Sequence, residues 1–162
     1  MSEEGHKRQP GSSRDDWTYH GVGSVRSADG RPRILVEHTV FGRDRNGGSV
    51  LRELPMPDYG GYAWGYDGGG PARAAAAILA DALDLGSAEG TGLRPGQSVD
   101  TLGQLRRDFC WDLLAQATDE WRLRRGAVLR WVRGWYAEKG LTDIPAAAVH
   151  LPPAHPDQDD PA

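Results

Sequence analysis

The chain divides by the period of its hydrophobic positions. Over the first half, apolar residues come in short runs: WTYHGV at 17–22, RILVEHTV at 33–40 and SVLREL at 49–54. Such runs, rich in Val, Ile, Leu and aromatics and bounded by turn residues, read as strands. The separators ADGRP and DRNGG carry the Gly, Asn, Asp and Pro that tight turns require. Together they predict a three-stranded antiparallel meander. Pro55 and Pro57 stop the third strand, because proline has no amide hydrogen to give to a ladder.

In the second half the period becomes helical. Pro71 suits a first helical turn, and Ala72, Ala75, Ala76, Leu79, Ala82 and Leu83 then follow at helical spacing, with Gly86 as a stop. This predicts a helix over about 71–85 whose alanine stripe allows close packing. A second helix is expected over about 99–118, with Thr101 and Gln104 as a capping box. Its apolar face carries Val99, Leu102, Leu105, Phe109 and Leu113, with Asp108 and Asp112 turned away and Trp111 off the stripe. A third helix, about 124–139, groups Val128, Trp131, Val132, Trp135 and Tyr136 on one arc, opposite Arg130 and Arg133, and ends at Gly140. The expected fold is α+β: a small antiparallel meander of about three strands with about three helices packed on one face.

Composition sets the boundaries. With 162 residues the chain has room for a single domain. Residues 1–15 lack apolar periodicity and read as a disordered tail, 16–140 as the domain, and 141–162 as a mostly disordered Pro/Asp-rich tail, most plainly from Leu151. No apolar run reaches the roughly 18 residues of a membrane span, and the N-terminus lacks a signal peptide's apolar core, so a cytoplasmic protein is expected. Cys110 is the only cysteine, which rules out an internal disulfide, and its flanks Phe109 and Trp111 suggest a packed thiol. The net charge of -4 argues against a surface that grips nucleic acid all over.

Once these elements are placed, three stretches stand out. They are Tyr19-His20-Gly21, the run Trp64-Gly65-Tyr66-Asp67-Gly68-Gly69-Gly70-Pro71, and Phe109 followed later by Trp121-Arg122-Leu123. The pattern resembles a bacterial and phage family classed as a domain of unknown function, with a W-G-Y-x-G-x-G-P motif ahead of an Ala/Leu-rich helix. The likeness covers about residues 17–137, and Gly69 stands where the family pattern carries serine or another small residue. It implies a scattered distribution among bacteria, phages and plasmids, and no assigned activity.

Three sets of residues are candidates for chemistry. At the glycine loop, Trp64, Tyr66, Gly68, Gly69, Gly70 and Arg73 form either an anion or nucleotide site built on free amides at a helix start, or only the turn that joins strand to helix. The loop lacks both the Lys-Ser/Thr of a phosphate-binding loop and the glycine spacing of a dinucleotide fold, which favours the turn. In the last helix, Arg122, Arg124, Arg125, Arg130 and Arg133 interleave with Trp121, Trp131 and Trp135, and no acid intervenes from Arg122 to Tyr136. Arginine with aromatics can grip phosphates and stack on bases, although on a helix these arginines equally form a solvated face. His20 and His38 lie on predicted strands without a third ligand, so no metal is expected. Glu37 and His38, as strand neighbours, point to opposite faces and cannot pair.

No nucleophile elbow surrounds Ser24, Ser27, Ser49, Ser87 or Ser98, and Asp58, Asp67 and Asp81 form no carboxylate site by spacing alone. A non-enzymatic interaction protein with no cofactor and a protein partner is the leading expectation. Nucleic-acid binding and an anion pocket are the alternatives.

Overall fold

The computed structural model describes residues 17–23, 30–38, 49–57, 60–89, 91–95 and 100–151. The expected tail at 1–15, the DRNGG turn and the Pro/Asp-rich residues 152–162 lie outside them, as do Ser24, Ser27, Asp58, Ser98 and Val99. Strands β1 (Trp17–Val22), β2 (Arg33–His38) and β3 (Ser49–Glu53) form the anticipated meander. A fourth strand, β4 (Trp121–Arg124), adds to the other side of β1, so the antiparallel order is β3-β2-β1-β4. The fold is α+β.

In β1 the strand pleat sends Tyr19 to the helical face, where it is fully buried, and His20 to the opposite one. Gly21 faces Trp121 across the β1–β4 pair. The indole lies so close that a Cβ on Gly21 would stand 2.2 Å from Trp121 Cε2. Between β2 and β3 the register slips at Val36/Glu37, a bulge of the kind that twists an edge strand away from flat pairing.

Helix α1 (Gly69–Ala82) starts two residues before Pro71. Proline is tolerated there because the first four amide hydrogens of a helix have no partner within it. Ala74, Ile78 and Ala80 are buried along with Ala75, Ala76, Leu79, Ala82 and Leu83 of the expected stripe, while Ala72 is half-buried, since α1 is packed on several sides by the rest of the core. Helix α2 (Thr101–Phe109) is capped by Asp100, not Thr101: the Asp100 carboxylate accepts from the Gly103 amide at 2.8 Å. A π-helical turn, Cys110–Leu114, follows, so the expected helix to 118 ends early. Asp108 and Asp112 are not idle surface acids. They accept from the indole nitrogens of Trp135 (2.8 Å) and Trp131 (3.3 Å) on α3 (Arg125–Glu138). Phe109 meets Trp131 edge-on, with ring centroids 5.2 Å apart.

The domain also extends past 140. Residues 141–151 carry α4 (Ala146–Val149), whose Ala148 is fully buried, and Ile144, Ala147 and Leu151 pack on the core. The tail expected from 141 is thus corrected: three apolar side chains and a buried alanine give this stretch enough core contact to fold onto the domain. Among the described residues no helix is long and apolar enough to cross a membrane.

Candidate functional site

The glycine loop positions an arginine. Gly68 precedes α1 and offers no side-chain cap. Tyr66 folds its ring over Gly68, and Gly70 sits so near Ala63 that a Cβ there would fall 2.5 Å from the Ala63 Cβ. Trp64 is held by a hydrogen bond from its Nε1 to the Asp119 carbonyl (3.1 Å) and by a T-shaped contact with Trp121. Arg73, one turn into α1, donates from Nε to the Gly61 carbonyl at 2.9 Å. Its guanidinium lies against Gly60 and Gly69, where a Cβ would come within 2.8 and 3.1 Å of it. Gly69 in the loop and Gly60 before it therefore make room for a protein cation. Among the described residues Arg73 has no acidic partner, and neither terminal nitrogen has an acceptor.

Arg73 borders a cleft of about 460 Å³. One wall is the chain leaving β3, Leu54 to Pro57, backed by Tyr62, whose hydroxyl donates to the Pro55 carbonyl. The other wall is one face of α1: Arg73, Ala77, Ala80 and Asp81. Residues Gly86 to Glu89 close the end beyond the helix. The volume lies within the range of small-ligand and peptide-anchor pockets. Met56 in the first of these walls (40%) and Val50 (55%) and Leu51 (48%) on the edge strand β3 expose apolar surface.

Asp81 joins the cleft to the core. It accepts from the Tyr19 hydroxyl at 2.7 Å and from Arg52 at 2.6 Å, and the Arg52 guanidinium also lies over the Trp17 ring. Burial, then the Asp81 charge, push the Tyr19 phenol far above its ordinary value of 10.0. Folded protein thus keeps a proton that the unfolded chain releases near pH 10, and stability falls as pH rises past that point. We expect an equilibrium denaturation series to show this loss above about pH 10, with a shallower slope in Tyr19→Phe; equal slopes would assign the loss to other groups. Burial likewise pushes the Cys110 thiol up to about 11, consistent with a packed thiol.

The predicted arginine set is divided between elements. Arg122 and Arg124 belong to β4, not to a helix. Arg122 is paired with Glu37 and Glu120 at 3.6 Å each. Arg125 is buried and donates to the Ala82 carbonyl (2.8 Å), with Asp84 at 3.4 Å, a cation at the negative end of α1. Only Arg130 and Arg133 occupy the exposed face of α3 as expected. The five do not form one basic face.

His20 and His38 do not meet. His20 is buried between carboxylates, with Nδ1 2.5 Å from Glu37 and Nε2 2.6 Å from Glu120, while His38 pairs in register with Trp17. The ring bridges β1, β2 and the approach to β4, with both nitrogens engaged. Adjacent strands achieve what the neighbours Glu37 and His38 cannot. The carboxylates lie on opposite sides of the ring, and among the described residues no group of three His, Cys, Asp or Glu converges on a metal position. Neither this cluster nor the cleft has a linear motif; only alternation within β1 and β2 hinted that His20 and Glu37 share a face.

The chain matches no protein-family model, no curated protein and no solved structure.

Proposed function

We propose that this chain is a non-enzymatic binding protein that docks a polypeptide partner along the β3 edge and into the adjoining cleft. The observation that carries this reading is a cleft floored by alanines and flanked by Arg73, whose wall includes the exposed Met56 and is formed by the chain leaving β3, the edge strand on which Val50 and Leu51 are also exposed. Edge strands offer unpaired backbone groups, and side-chain pockets beside them confer selectivity. The division of the arginines between β4, a buried helix cap and the outer face of α3 favours a polypeptide over nucleic acid, which needs a contiguous basic surface.

A photo-crosslinking amino acid placed at Met56, in cells that make the chain at native levels, tests the reading. The expected result is a discrete protein adduct, lost in the Leu51→Glu background and absent when the same group replaces exposed Glu138 on α3. No adduct at Met56, or an adduct containing nucleic acid, overturns it.

A further inference from the structure

The cleft is electrically polarised along its length. Arg73 stands at the end nearest the start of α1, its two terminal nitrogens without acceptors among the described residues. The exposed Glu89, which has no ion pair among the described residues, stands at the other end, beside Asp81, whose carboxylate is already taken up by Tyr19 and Arg52. The helix dipole runs the same way, positive toward Arg73 and negative toward Asp81. Between the charged ends the walls are apolar: Ala77 and Ala80 face Leu54 and the two prolines.

A groove with this polarity is complementary to a chain that places an anion at one end and a cation at the other. Arginine offers a planar, two-pronged donor that matches a carboxylate. Building on the proposed partner docking, we infer that the cleft receives the carboxyl terminus of the partner. The terminal carboxylate sits on Arg73, apolar side chains lie over Ala77 and Ala80, and a Lys or Arg upstream meets Glu89, at the Asp81 end of the cleft. Eight residues separate Arg73 from Asp81, which at about 1.5 Å per helical residue is about 12 Å. An extended chain advances about 3.3–3.6 Å per residue, so the basic side chain belongs three or four residues before the terminal carboxylate.

The test is an array of synthetic peptides with free carboxyl ends, apolar at the last two positions and varied through all residues at the third and fourth from the end. Matched C-terminal amides are included, and selected peptides are followed by fluorescence anisotropy with the full chain. The expected result is enrichment of Lys and Arg at the varied positions and at least tenfold weaker binding of the amides. Arg73→Gln should bring acid and amide to equal affinity, while Arg73→Lys retains part of the preference. Glu89→Lys should reverse the upstream preference from Lys to Glu, a gain that a misfolded variant cannot show. Asp81 is left intact because it also holds Tyr19. Acid and amide binding within twofold of each other overturns the inference, as does an array with no binder. If the Met56 adduct still forms in either case, partner docking survives and only its carboxyl-terminal mode is lost.

Discussion

Asp81→Ala is expected to lower the stability of the domain by about 1–4 kcal/mol. Tyr19 is fully buried and its hydroxyl donates to Asp81, so removing the carboxylate strands a polar group away from water, at a cost of about 1–3 kcal/mol. The Arg52 side chain is 37% exposed, so the loss of its 2.6 Å ion pair is partly offset by solvent and contributes about 1 kcal/mol or less. In a domain whose whole stability is of order 5–15 kcal/mol, the melting temperature should fall by roughly 10 °C. Asp81→Asn keeps an acceptor for Tyr19 and loses only the charge, so its loss should be about 1 kcal/mol. Urea denaturation of the three proteins checks this. Equal losses in the Ala and Asn variants would show that the Tyr19 hydrogen bond is not the dominant contribution. Both sheet and helix feel the change, because Asp81 is the point at which α1 is tied to β1 and β3.

Gly21→Ala is expected to cost about 3 kcal/mol, at the upper end of what overpacking does. The new Cβ would fall between 2.2 and 2.6 Å from three atoms of the Trp121 ring, so the indole must leave its place. That ring also stacks edge-on with Trp64 at 5.3 Å, and its departure loosens β4 together with the residues leading into α1. The effect is steric: Gly21 lies in a strand without a positive φ, where alanine is otherwise no worse than glycine. A double variant, Gly21→Ala with Trp121→Ala, should therefore be more stable than the sum of the two single losses predicts. Strict additivity would refute the proposed clash.

Elements whose pattern is local were legible in the chain. β1, β2 and β3 followed from short apolar runs bounded by turn residues, and α1 and α3 from the spacing of alanines and aromatics; their ends shifted by only a few residues. The capping residue of α2 moved by one, because Asp100 and Thr101 are adjacent competitors and the choice depends on backbone angles. β4 was hidden. Its four residues, WRLR, lie inside an arginine-rich run continuous with α3, and a helical window absorbs them. Their strand character comes from pairing with β1, about a hundred residues away in the chain.

The residues that act together obey the same distinction. The glycine loop was recognisable as the start of a helix, since glycine runs followed by proline and alanines have few other uses, but no strand leads directly into it: the described residues between Glu53 and Gly69 are loop. Its service to Arg73 was not legible, because the guanidinium reaches Gly60 and Gly61, which precede Arg73 by about a dozen residues and lie outside the helix. His20, Glu37 and Glu120 come from two strands and a loop, and Tyr19, Asp81 and Arg52 from two strands and a helix. Hydrophobic period and turn chemistry act over a few residues, so they set which segments become strands or helices and which faces are apolar. Charged partners, the fourth strand and the polarised cleft depend on contacts between segments distant in sequence, and those contacts exist only once the layers have packed.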